Sequence, residues 1–322
     1  MNIKYLISAI VFLISGVLSA QEELTSYLET AANNNPGLKA RFSEYMASLE
    51  LIPQVGTLPD PQLAFGYFIQ PVETRNGPQR FRISLTQMFP WFGTLNARED
   101  VAVSKAKAKY ESFEDFKSNL FFEVKATYYD LYFIKKGIDI TLENIRILNS
   151  FKNLALIKIE SGKASGVDEL RIEMELADME NELALLNDKW SVATVKFNNL
   201  LHVEDKSQVV IPDSLWLDDL PYSRQQVLDS LRTNNHQVVK FDHLLESYRE
   251  SERAARKAGL PSMSIGIDYI AIGKTDNTMI DQGDNGRDAI LFPKIGITIP
   301  LYRKKYTAMV NEAIHMQDAT LG

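Results

Sequence analysis

His236 and His243, seven residues apart, are the first candidates for chemistry, because that spacing returns side chains to one face of a helix. Two isolated histidines without ligand-like carboxylate spacing read as surface residues, so no metal is expected there. Met174 and Met179 read as packing groups and not as copper relays. The acidic run Asp168, Glu169, Glu173, Glu175, Asp178, Glu180 and Glu182 reads as a solvated helix face, with a cation-attracting surface as the alternative. The absence of cysteine removes disulfides, thiolate metal sites, thiol nucleophiles and acylation of an N-terminal Cys together. No HExxH, GxSxG or GxxxxGK[ST] pattern occurs, so no catalytic residue, cofactor or enzyme activity is expected. A net charge of -7 leaves no basic footprint for nucleic acid.

The elements that would position functional groups belong to a folded chain, with 45% apolar and 24% charged residues among 322. Residues 1–20 carry Lys4, an apolar run from Tyr5 to Leu18 and Leu-Ser-Ala before Gln21, the layout of a signal peptide, with an uncleaved anchor as the alternative. No later stretch of eighteen apolar residues exists, so membrane residence would require a β-barrel.

An internal repeat organises the rest. At an offset of 200, Asn34-Asn35 recurs as Asn234-Asn235, Glu50 as Glu250, Pro61 as Pro261 and Gly66 as Gly266. At an offset of 210, Pro90-Trp91-Phe92 aligns with Pro300-Leu301-Tyr302. The first repeat is set at 21–206, with a β-hairpin at 61–89 and a long coiled hairpin at 96–201. A linker follows at 207–222, and a second repeat at 223–322 has its hairpin at 261–301. The helix of the first copy is expected from about Pro36 to Leu51, with Pro53 among its breakers, and its counterpart from about Gln237 to Ala258.

The strand segments alternate at period two. Leu63, Phe65, Tyr67 and Ile69 share one face of Gln62–Gln70, while Phe81, Ile83 and Leu85 oppose Arg82, Ser84 and Thr86. In the second copy, Met263, Ile265, Ile267 and Tyr269 oppose Ser264, Gly266 and Asp268, and Ile295, Ile297, Ile299 and Leu301 oppose Lys294, Gly296 and Thr298. Such strands suit a membrane barrel with lipid outside and water inside; a soluble hairpin with one buried face is the alternative. Four strands cannot close a barrel, so several chains would have to contribute.

From Asn96 to Glu160 no proline occurs, which gives one helix of roughly 95 Å. Phe113, Phe116, Leu120, Val124, Thr127, Leu131, Ile134 and Ile138 form one apolar stripe, and Phe122, Tyr129 and Phe133 begin a second. After the turn at 161–166, Ile172, Leu176, Met179, Leu183, Leu186, Trp190, Ala193, Phe197 and Leu200 keep a seven-residue repeat, so the two helices form an antiparallel coiled hairpin.

With these parts in place, the sequence from about Leu24 onward resembles the TolC-type outer-membrane efflux family, through Asn35-Pro36, Pro61, Pro90-Trp91-Phe92 and their weaker second copies. His236 departs from the usual proline. Gln87–Leu95 is similar to the heavy-metal branch of CusC- and CzcC-like ducts.

The resemblance implies a mixed α and β membrane protein. A β-barrel with four strands from each protomer of a homotrimer would continue into a periplasmic α-helical coiled-coil barrel. Arg82, Ser84, Thr86, Ser264, Asp268, Lys294 and Thr298 would face the lumen, and Ser161, Gly162, Lys163, Ala164 and Ser165 at the hairpin tip would meet a periplasmic adaptor. The implied role is a passive exit duct in the outer membrane of a Gram-negative cell, for efflux or type I secretion, with an inner-membrane pump as energy source. Against the family pattern the second long helix should begin near Tyr306 and its hairpin partner is missing, so the chain is expected to be a fragment. A periplasmic coiled-coil adaptor or scaffold is the alternative. It accounts for the hairpin and the export signal, but not for the recurring amphipathic strands.

Overall fold

The computed structural model describes residues 23–163, 165–215, 221–276 and 283–322; the expected signal peptide at 1–20, Ala164 and linker residues 216–220 lie outside the described residues. Each repeat opens with two helices where the sequence suggested one: α1 (23–34) before α2 (Pro36–Gly56), and α5 (Arg224–Asn234) before α6 (His236–Ala258). The asparagine between them is the reason. Asn35 Oδ1 accepts the Leu38 N–H at 3.0 Å, and Asn235 Oδ1 accepts those of Gln237 and Val238 at 2.9 and 3.2 Å. Each side chain caps the helix that follows. Pro36 takes the first helical position, where an N–H would be unpaired anyway, and His236 fills the same position in the second copy.

Helix α2 passes the expected stop at Leu51 and runs through Pro53 to Gly56. Proline so near a helix end forfeits only one main-chain bond. Gln54 Nε2 adds a 2.8 Å bond to the Glu50 carbonyl in the same turn.

The strands are β1 (Gln62–Tyr67), β2 (Glu73–Thr74), β3 (Gly77–Phe89), β4 (Ser262–Ile272) and β5 (Ala289–Thr298). They are followed by α3 (Thr94–Glu160) and α4 (Gly166–Leu201) in the first copy and α7 (Arg303–Leu321) in the second. β1 stops short of Gln70, where a register shift between Gln79 and Phe81 disturbs its partner and Pro71 follows. β5 starts at Ala289, earlier than its alternation suggested, and ends before Pro300. α3 begins two residues ahead of Asn96, and α7 at Arg303 instead of Tyr306.

The described chain packs as two units. The first joins residues 23–41 to 113–228. Its core gathers Leu38, Val124, Tyr128, Leu131 and Phe197, with Val209 and Ile211 of the linker. Among its described residues the linker has no helix but is pinned: Asn198 Nδ2 donates to the carbonyls of Asp205 and Ser207, and Lys135 Nζ to that of Ile211 at 3.0 Å. The first expected stripe of α3 lies on this packed side, while Phe122 and Phe133 of the second stripe are 66% and 68% exposed.

The second unit joins Phe42–Ser112 to Asp229–Gly322 and contains both hairpins. The strands follow the order β1-β3-β4-β5, all antiparallel, with β2 a short addition to β3. The centre of the sheet is therefore the β3–β4 pair, where the two sequence repeats meet.

Tyr128 is fully buried, its hydroxyl has no hydrogen-bond partner among the described residues, and burial pushes its pKa up to about 12. Folding thus favours the protonated phenol. Stability is whole below pH 10, the unfolded value, and declines as the pH rises through about 12. Tyr128→Phe should remove this alkaline loss and leave the melting temperature at pH 8 equal or higher, because it removes an unpaired buried hydroxyl. Phe197→Ala, by contrast, should cost about 3–5 kcal/mol. Thermal melts by circular dichroism at pH 8 and 11 check both; an alkaline loss undiminished in the phenylalanine variant would remove Tyr128 as its source.

Candidate functional site

Residues directly opposite one another in an antiparallel pair share a face. Ser84 pairs with Asp268, Thr86 with Gly266 and Gly266 with Lys294, while Ser262 pairs with Thr298 and Ser264 with Gly296. Arg82, two residues from Ser84, lies on the same side. The register therefore puts Arg82, Ser84, Thr86, Ser264, Asp268, Lys294 and Thr298 on one face.

Leu63, Phe65, Ile83, Leu85, Ile265, Ile267, Ile295 and Ile297 occupy the other face. It is uncovered: Leu63 is 73%, Phe65 69% and Ile295 64% exposed. A contiguous apolar surface of that kind requires a covering phase or partner.

Asp268 is the focus of the polar face and is fully buried. The Arg82 guanidinium donates to its carboxylate, Lys294 Nζ donates at 3.3 Å, and Ser84 is its cross-strand neighbour. One carboxylate thus holds two cations, leaving a net positive cluster across β3, β4 and β5. Arg82 Nε remains buried without a partner. The alternation identified these residues as one face, but not that three of them converge on Asp268. Convergence depends on the β3–β4 register, which joins segments 186 residues apart.

The hairpin tip is built by two standard helix ends. At the end of α3, Lys163 N–H bonds the Lys158 carbonyl at 2.8 Å and Gly162 N–H that of Ile159 at 2.9 Å. Gly162 has φ of 71°, a left-handed conformation that glycine adopts without a Cβ penalty. At the start of α4, the Ser165 N–H and hydroxyl donate to the Asp168 carboxylate. Ser161, Gly162, Lys163 and Ser165 are all exposed. Behind the tip, Lys152 and Glu173 bridge the two helices at 2.7 Å, a hydrogen bond that raises the Lys152 pKa.

His236 Nδ1 lies 2.7 Å from Glu111 of α3, and Glu111 also lines, with Tyr45 and Tyr110, the recess that His243 borders. Among the described residues no group of three His, Asp or Glu side chains that could hold a metal ion occurs.

No family model matches the chain. The outer membrane efflux protein BepC of Brucella suis is 23% identical over 310 residues, covering 93% of this chain and 66% of that protein. The toxin and drug export protein A of Aggregatibacter actinomycetemcomitans is 22% identical over 69% of this chain and 48% of its own length. The chain thus spans just under two thirds of one curated relative and about half of the other.

Among solved structures, CusC superposes with a TM-score of 0.67 at 17% identity, covering 93% of this chain and 70% of CusC. The outer membrane protein VceC from Vibrio cholerae gives 0.66 at 13% identity, covering 95% and 77%. The fold is that of these outer-membrane channels, and the sequence is similar at low identity to outer membrane efflux proteins. Likeness of fold is nearly the same for CusC and VceC, so it does not single out a branch.

Asp268→Ala leaves Arg82 and Lys294 facing each other without their shared anion. Both cations are partly exposed, so a loss of about 2 kcal/mol is expected, below that for a fully buried pair. Adding Lys294→Met to that variant should restore part of it. Chemical denaturation of the four members of this mutant cycle measures the coupling, and strict additivity would mean Asp268 and Lys294 do not act together.

Proposed function

We propose that the chain is the protomer of an outer-membrane exit duct, a passive conduit for efflux or type I secretion. Its apolar sheet face meets lipid and its polar face lines the bore. The observation that carries this reading is the sheet itself, four antiparallel strands with one exposed apolar face and unpaired outer edges at β1 and β5. In hydrocarbon those edges must be paired, and copies of the same chain supply the partner: three protomers would close a barrel of about twelve strands. The exposed stripe of Phe122, Tyr129 and Phe133 on α3 would then be covered by neighbouring helices of the homotrimer.

The tip residues Ser161, Gly162, Lys163, Ala164 and Ser165 are proposed to dock a periplasmic adaptor that couples the duct to an inner-membrane pump. The close-turned, exposed end of a long hairpin is accessible to such a partner. The conduit would need no cofactor and perform no catalysis.

Environment-sensitive labels at Ile265 and Ile297 in the full-length protein, reconstituted in vesicles, should report acyl chains, while labels at Ser264 and Thr298 report water. The opposite pattern would remove the barrel reading. Gly162→Trp and Lys163→Glu should abolish export in cells while the oligomer still shows heat-modifiable migration on a gel. Normal export by both variants would take adaptor contact away from the tip.

A further inference from the structure

We infer that Arg82, Asp268 and Lys294 form a cationic selectivity band in the bore, which favours the passage of anionic solutes over cationic ones. The inference deepens the exit-duct reading above and rests on it, because it takes the polar face of the sheet as the wall of the bore.

The strands β1, β3, β4 and β5 contain three basic residues, Arg80, Arg82 and Lys294, against a single acid, Asp268. Arg82 and Lys294 share that acid, so the cluster keeps one positive charge in excess. Burial divides the charges unequally. The Asp268 side chain has no exposed surface, whereas those of Arg82 and Lys294 are 37% and 40% exposed. Solvent along the polar face therefore meets the cations, with the carboxylate hidden behind them. The third cation, Arg80, lies against Gly273, just past the end of β4.

The cross-strand neighbours on this face do not offset the excess, because they are uncharged. Ser84 stands opposite Asp268 and Gly266 opposite Lys294, while Ala64 and Gly66 of β1 stand opposite Ser84 and Arg82. The space over Gly66 is open, since a Cβ there would meet no atom within 4 Å, so the β1 side of Arg82 stays uncovered. Acids of the described connecting segments, Asp60, Glu73, Asp276, Asp284 and Asp288, lie past the ends of these strands. Two of them are already engaged, Asp284 by Arg287 and Asp288 by the Tyr269 hydroxyl.

Rings of Lys and Arg side chains draw anions into a pore, and lumen-facing residues of a barrel tune what passes. Three copies would repeat the cluster at one level of the bore, for a net charge of about +3 there. At about 0.1 M salt the field of such a cluster reaches roughly 10 Å, so the preference is strongest in dilute salt and fades as salt rises.

The test measures reversal potentials of the purified full-length protein in planar lipid bilayers under a KCl gradient, first in dilute and then in concentrated salt. The wild-type channel should pass chloride over potassium by about twofold in dilute salt, and by less in concentrated salt. Lys294→Gln, which keeps the Arg82–Asp268 pair, should lower the chloride-to-potassium ratio by about twofold. Asp268→Asn, whose amide oxygen can still accept from Arg82, should raise it by about the same factor. Shifts of opposite direction report charge, because a merely structural disturbance has no reason to follow its sign. A wild-type ratio at or below one would overturn the preference for anions. Ratios that stay the same, or move the same way in both variants, would overturn the cluster as its source. Heat-modifiable migration separates the two readings: an oligomer that conducts without these shifts defeats this inference alone, whereas protein that forms neither oligomer nor conductance defeats the duct as well. Should Asp268→Asn not assemble, Lys294→Glu takes its place and must lower the ratio further than Lys294→Gln does.

Discussion

A strand whose side chains alternate between apolar and polar needs, in hydrocarbon, oil on one side, water on the other, and paired backbone along both edges. In this chain the first condition is met by residue type and the second only in part. β3 and β4 are paired on both sides, whereas β1 and β5 each keep one edge open. Much of the remaining architecture can be understood as preparation for closing those edges. The duplication supplies two hairpins in place of one, and their mutual pairing doubles the arc of wall that a single chain contributes. The charged cluster at Asp268 sits on that central seam, which makes it a register pin as well as part of the polar face.

The periodic parts of this fold were plain in the sequence. The three-four spacing from Phe113 to Ile138 gave the buried side of α3, and the strict alternation from Met263 to Tyr269 gave the two faces of β4. Boundaries were less legible because they depend on local compensation. Pro53 looked like a stop, but near a helix end its missing N–H costs a single bond, so α2 continues. Asn35 and Asn235 were read as repeat markers, while their side chains in fact cap α2 and α6 and separate them from α1 and α5. The short helix at 224–234 was harder to see because its only apolar residues, Val227, Leu228 and Leu231, are few and none is buried.

The candidate site divides in the same way. Face membership follows from period two, so all seven polar strand positions could be named in advance. Which of them touch depends on a register between distant segments, and no single-strand pattern encodes that.

The seam between β3 and β4 also sets an order of events. A contact such as Arg82 with Asp268 spans 186 residues of chain, so the first hairpin leaves the ribosome long before its central partner exists. Until residue 272 arrives, β3 carries a bare hydrogen-bonding rim beside an oily surface, a combination that invites mispairing with any passing strand. The topology thus sets a sequence of assembly: the long coiled helices can form as they emerge, but the wall must wait.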